Sequence, residues 1–167
     1  QIINNKNFLW FGGTGLVHKG LDLAIECFKD LKDFNLYIFG PKEEDFFELY
    51  KEDFLLSNIK YLGFVNINSI EFKETINKCN FSLFPSCSEG GSGSLLQTMK
   101  LGLIPIATIE TGVDFLENGF CITDDINSMI DTVIKASKID EKELLRMSKN
   151  NINFIENNHN ITNFELE

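Results

Sequence analysis

A single arginine, Arg146, stands among 167 residues, and 15 basic side chains face 25 acidic ones for a net charge of −10. A groove that follows a nucleic-acid backbone, or a patch that holds an acidic membrane, needs clustered cations. Neither is therefore an expected partner. Proline is scarce at three residues, while hydrophobic residues make up 43%, so the chain is neither disordered nor low in complexity. No apolar run approaches the roughly 18 residues of a membrane span, so any membrane association would run through parts of the protein outside this sequence. No charged-then-apolar signal pattern opens the chain. It begins Gln1-Ile2-Ile3 without an initiator Met, which reads as a fragment or a cut chain, and Leu166-Glu167 could be a vector remnant.

Familiar catalytic and metal signatures are missing too. Cys27, Cys79, Cys87 and Cys121 are widely spaced, with no Cys-x-x-Cys, so no zinc or thioredoxin site is signalled. The expectation is reduced, mostly buried thiols in a cytoplasmic protein. There is no Gly-x-Ser-x-Gly elbow, because Ser94 stands where its last Gly would be. The only histidines are His18 and His159, and a Cys87–His18 dyad is a remote prospect. Asp124-Asp125 reads as a helix cap rather than a metal site, so no metal is expected.

What is present is alternation. Phe8-Leu9-Trp10-Phe11, Leu36-Tyr37-Ile38-Phe39, Ile59-Lys60-Tyr61-Leu62, Phe81-Ser82-Leu83-Phe84, Ile104-Pro105-Ile106-Ala107 and Phe120-Cys121-Ile122 are short apolar runs. Such runs are strands buried on both faces. Between them, helical periodicity predicts helices over about 19–32, through Phe46, Phe47, Leu49, Tyr50 and Phe54, from Ile70 to Cys79, over about 94–101, from Asp124-Asp125 through Ala136, and over about 141–157. Asn66 or Asn68 is the expected cap of the third helix, and the Asn-rich tail is expected to fray. The pattern predicts one α/β domain over 1–167, a Rossmann-like, open, mostly parallel sheet of about six strands with helices on both faces. Ligands bind such sheets beyond the carboxyl ends of the strands. That rule singles out the loops at 12–19, 40–43, 63–66, 85–94 and 108–114.

Two of these loops carry chemistry. The first reads Gly12-Gly13-Thr14-Gly15-Leu16-Val17-His18-Lys19-Gly20. Glycines let backbone N–H groups approach an anion, and Lys19 can add a positive charge. It lacks the third Gly of a dinucleotide fingerprint and is no Walker loop, since Leu21-Asp22 stands in place of Lys-Ser. A tight turn closing a strand–helix unit is the plain alternative. The second loop reads Pro85-Ser86-Cys87-Ser88-Glu89-Gly90-Gly91-Ser92-Gly93-Ser94 and opens a helix. A carboxylate such as Glu89 repels phosphate but accepts hydrogen bonds from hydroxyls. The combination suits a ligand with both phosphate and sugar; the alternative is a capping loop with Glu89 solvated.

Together the two loops resemble the C-terminal, donor-binding half of GT-B glycosyltransferases, in the retaining group 1, also called family 4. The matching residues are Phe11-Gly12-Gly13, His18-Lys19-Gly20-Leu21-Asp22, the run from Pro85 to Gln97, and then Met99, Gly102, Pro105-Ile106 and Thr111-Gly112, over roughly residues 7–157. The resemblance implies that Gly13, Thr14 and Lys19 hold the donor diphosphate. It implies that Glu89, with Gly90, Gly91, Ser92 and Gly93, contacts the transferred sugar, that Gln97 reads the ribose, and that Phe64 and Val65 lie near the base. Glu89 and Lys19 would be catalytic, with no cofactor. Two positions depart from the family: Gly13 stands where an Arg is usual, and Gln97 replaces the second Glu. The implied partner is a nucleoside-diphosphate sugar, together with an N-terminal GT-B domain that binds acceptor. The implied reaction is transfer of a hexosyl group to a glycan or lipid-linked acceptor, as in polysaccharide biosynthesis, with this fragment inactive alone. A non-catalytic glycosyltransferase-like interaction module is the rival reading. A flavodoxin-like or receiver-like regulatory domain is more distant; a receiver needs an Asp at the end of a central strand, and none of the strand ends has one.

Overall fold

The computed structural model describes residues 5–159. The opening Gln1-Ile2-Ile3, the end of the Asn-rich tail and Leu166-Glu167 lie outside them. Six strands form one sheet, all parallel: β1 (Asn7–Phe11), β2 (Asn35–Phe39), β3 (Ile59–Gly63), β4 (Phe81–Phe84), β5 (Ile104–Ala107) and β6 (Phe120–Cys121). Their order across the sheet is β3-β2-β1-β4-β5-β6. The helices are α1 (Leu21–Asp30), α2 (Glu44–Leu49), α3 (Ile70–Lys78), α4 (Gly93–Lys100), α5 (Ile126–Ser137) and α6 (Glu141–Asn158).

Period-two alternation explains why the strands are apolar throughout. Phe8 and Trp10 point to one face and pack with Leu21, Ile25 and Phe28 of α1 and with Met129 and Val133 of α5. Leu9 points to the other face, toward Phe72 and Ile76 of α3. Phe84 and Ala107 meet Leu95 and Met99 of α4 there. Each fully buried side chain of this size contributes about 1.5–3 kcal/mol.

The two ends of the sheet differ. At the amino ends of the strands, asparagines close the chain on itself. Asn7 donates to the Lys78 carbonyl, Asn35 donates to Asn7 Oδ1, and buried Asn58 donates to the Phe28 carbonyl. At the carboxyl ends stand the glycine-rich loops. The strand order reverses direction between β1 and β4, so the loops after those two strands border the crevice where such sheets bind ligands.

Three local expectations are corrected. Ser69, not Asn66 or Asn68, caps α3, accepting from the Phe72 N–H at 3.1 Å; Asn66 instead accepts from the Asn68 N–H. The second helix stops at Leu49, and a 3-10 turn, Asp53–Leu55, follows it. That break lets Phe54 stack on Phe47 with centroids 4.4 Å apart, and it leaves Leu49 exposed. The first helix begins at Leu21, because Gly20 turns into the left-handed region at φ 68. Asp125 does cap α5, accepting from the Ser128 N–H at 2.7 Å.

Gly20 is also where the two loops touch. A Cβ on it would stand 2.0 Å from the Pro85 carbonyl oxygen. Gly20→Ala therefore combines a left-handed backbone penalty with a backbone collision, and it should destabilise the fold by about 3 kcal/mol. Gly13→Ala, whose Cβ would meet nothing within 4 Å, should change stability little. Urea denaturation of the two variants checks the contrast.

Candidate functional site

The first loop is built on Trp10. A Cβ on Gly12 would stand 2.5 Å from Trp10 Cη2, so only glycine admits the indole there. The indole Nε1 donates to the Lys19 carbonyl at 3.2 Å and so fastens the far end of the same loop. Gly15, at φ 84, turns its own N–H and that of Leu16 toward one carboxylate. This is Glu43, from the loop before α2, whose Oε1 accepts from Gly15 at 2.6 Å and Oε2 from Leu16 at 3.4 Å. Sequence reasoning places the 40–43 loop at this end of the sheet but gives no reason to single out Glu43. Its partner is a backbone group 28 positions away.

The second loop is held from both sides. The Cys87 N–H donates to the His18 carbonyl at 2.9 Å, joining it to the first loop. This backbone bond is what brings Cys87 near His18; no side-chain bond between them is present. From the other side, Glu89 N–H donates to the Glu110 carbonyl at 2.7 Å and Ser92 N–H to the Thr111 carbonyl at 2.9 Å. Thr108 Oγ1 donates to the Ser86 carbonyl at 2.7 Å. Gly112, at φ 66, permits this closeness, since a Cβ there would lie 2.9 Å from Gly91 N.

Lys19 and Glu89 meet where the loops meet. Lys19 Nζ lies 3.3 Å from Glu89 Oε1, with the side chains 23% and 13% exposed. Ser86 Oγ donates to the same oxygen at 3.0 Å. Oε1 is thus held by both Lys19 and Ser86.

At the same, carboxyl end of the sheet lies an open pocket of about 420 Å³, within the usual range for ligand sites, whose lining includes Gly13, Phe64, Val65, Asn66, Ser94 and Gln97 but neither Lys19 nor Glu89. No charged side chain lines it. Phe64 is 79% exposed, so its ring is available for stacking. The structure thus brings Gly13, Phe64, Val65 and Gln97 to one pocket and Lys19 and Glu89 into one ion pair, while Thr14, Lys19 and residues 89–93 do not line that pocket. The N–H groups of Gly13, Thr14, Gly90, Gly91 and Gly93 donate to no acceptor among the described residues. Ser92 differs from its neighbours. It is buried, its N–H is taken by Thr111, and its hydroxyl caps α4 by accepting from Leu95 N–H.

The family model described as Glycosyl transferases group 1 matches residues 1–154. The chain belongs to that family. Solved structures share the fold. The C-terminal domain of LpcC, a group 1 glycosyl transferase from Francisella tularensis, superposes with TM-score 0.69 at 20% identity, covering 93% of this chain and 87% of that one. HepE from Anabaena, solved with UDP and glucose, gives 0.80 at 16%, covering 98% and 47%. WaaG, a glycosyltransferase involved in lipopolysaccharide biosynthesis, gives 0.71 at 19%, covering 93% and 48%. The chain thus spans about half the length of HepE and WaaG. No curated protein matches the sequence. Among the described residues, no helix is long and apolar enough to cross a membrane.

The cysteines of this glycosyltransferase domain depart from expectation, because only two are buried. Cys27 and Cys79 lie in the core, where burial pushes both thiols up to about 12. Cys87 stands in the second loop and Cys121 at the end of edge strand β6, and both are exposed. A thiol-specific reagent should label Cys87 and Cys121 in the native protein and reach Cys27 and Cys79 only after denaturation. Peptide mapping before and after unfolding checks it.

Proposed function

We propose that this domain binds the nucleotide-sugar donor of a retaining glycosyltransferase that transfers a hexosyl group to a glycan or lipid-linked acceptor. The observation that carries this reading is the Lys19–Glu89 pair between the loops after β1 and β4, with an uncharged pocket at the same end of the sheet. In this reading the diphosphate lies along the free N–H groups of Gly13 and Thr14 and takes up Lys19. Phe64 and Val65 hold the base, and the Gln97 carbonyl accepts from ribose hydroxyls. Glu89 Oε2 accepts from the transferred sugar, whose other contacts are the N–H groups of Gly90, Gly91 and Gly93. Glu89 and Lys19 both touch the reacting ligand.

Breaking the sugar–phosphate bond sends an electron pair to the leaving diphosphate. A donor aimed at growing negative charge contributes about 2.7–4 kcal/mol in comparable sites. Lys19 fills that role, and before the ligand arrives Glu89 neutralises it. The acceptor is supplied by an N-terminal GT-B domain, in keeping with the greater length of HepE and WaaG.

The rival reading, a non-catalytic interaction module, draws on Gly13 and Gln97, which leave the pocket without an Arg or a second carboxylate. Titration of the wild-type protein with UDP, GDP and ADP, and with their sugars, separates the two: the rival binds none of them.

Lys19→Ala should weaken nucleoside diphosphate binding about tenfold or more. Glu89→Ala should weaken a nucleotide sugar more than the matching free diphosphate. Gln97→Ala should weaken both alike, and Gln97→Glu should tighten both. Equal losses for both ligands in the two alanine variants would reject the division of roles. The purified 167-residue chain should transfer no sugar, even with donor and acceptor supplied, because half of the cleft comes from another domain. Turnover measured with a radiolabelled donor would show otherwise.

A further inference from the structure

Glu43 lies outside every motif that carries the family resemblance, yet it makes the shortest hydrogen bond at the first loop. Its Oε1 accepts from Gly15 N–H at 2.6 Å and its Oε2 from Leu16 N–H at 3.4 Å. The same two residues hold the rest of the turn. Gly15 O accepts from Lys19 N–H at 2.9 Å, and Leu16 O accepts from Leu21 N–H at 2.9 Å. A continuous run of hydrogen bonds therefore leads from the Glu43 carboxylate through Gly15 to the backbone of Lys19. Glu43 is itself fixed, because it stands at the N-cap of α2, and its carbonyl accepts from Phe47 N–H at 3.0 Å.

We infer that Glu43 is a positioning residue, a carboxylate clamp that sets the 15–19 turn and so places Lys19 for an anionic ligand. The inference rests on the anion-site reading above. Two successive N–H groups beside a left-handed glycine form a concavity that binds anions. Here the protein fills it with its own carboxylate. The clamp thereby also decides which donors remain for a ligand. Gly15 and Leu16 are occupied, and Gly13 and Thr14 are free. A charge-assisted bond to a backbone N–H is among the stronger ones, so removing it loosens the turn rather than unfolding the domain. Lys19 then samples positions away from Glu89 and the pocket.

The test pairs Glu43→Ala with Glu43→Gln, whose side-chain carbonyl can still accept from Gly15 N–H. Binding of UDP, GDP and ADP is titrated in both variants and in Lys19→Ala, and amide hydrogen exchange is read at Gly15 without ligand. Glu43→Ala should speed exchange at Gly15 and weaken diphosphate binding about tenfold. Glu43→Gln should restore most of both. In a Lys19→Ala background, Glu43→Ala should cause little further loss, because it acts through Lys19. Tighter or unchanged binding in Glu43→Ala would overturn the clamp, since it would make Glu43 a competitor or a bystander. Unchanged Gly15 exchange, or Gln behaving like Ala, would overturn it as well. If no diphosphate binds even the wild type while Glu43→Ala still speeds Gly15 exchange, the anion-site reading fails, and with it the role of the clamp toward a ligand.

Discussion

The site depends on one close approach. The Cα of Gly20 comes so near the Pro85 carbonyl that no side chain fits between them. Because the loops after β1 and β4 touch there, Cys87 N–H reaches the His18 carbonyl, and Lys19 reaches Glu89. Trp10 enforces the same contact from below, since its indole lies against Gly12 and Gly40 and bonds to the Lys19 carbonyl. Remove the closeness, and the ion pair, the loop junction and the wall of the pocket separate together.

A second constraint is charge. The chain carries −10 overall, yet its reading requires an anionic ligand. The resolution is local, because backbone N–H groups are donors whatever the net charge. Both loops keep N–H groups without an acceptor among the described residues, and Lys19 is the cation that reaches Glu89. Glu43 shows the same logic from the other side, its negative charge absorbed by two N–H groups of the loop. With Gly13 and Gln97 in place of charged residues, the pocket itself stays neutral.

Much of this was legible before any coordinates. The strand runs and most helices fall within one or two residues of their observed limits, because continuous apolar runs and helical spacing report burial directly. The errors have local causes. Ser69 outcompeted the nearby asparagines for the α3 cap, since Asn66 turned its oxygen to Asn68. The second helix broke where aromatic stacking between Phe47 and Phe54 favoured a turn. Half of the cysteines proved exposed because thiols in loops and on edge strands are not distinguished by spacing.

By itself, then, the sequence determined the α/β class, the two loops and the family, through patterns that neighbouring residues impose on each other. Tertiary structure alone decided that Lys19 and Glu89 pair, that Gly13, Phe64, Val65 and Gln97 share a pocket, and that Glu43 belongs to the first loop. Those facts join residues tens of positions apart, brought together by strand order and by contacts where a single missing Cβ makes room. Periodicity in one dimension carries no record of either.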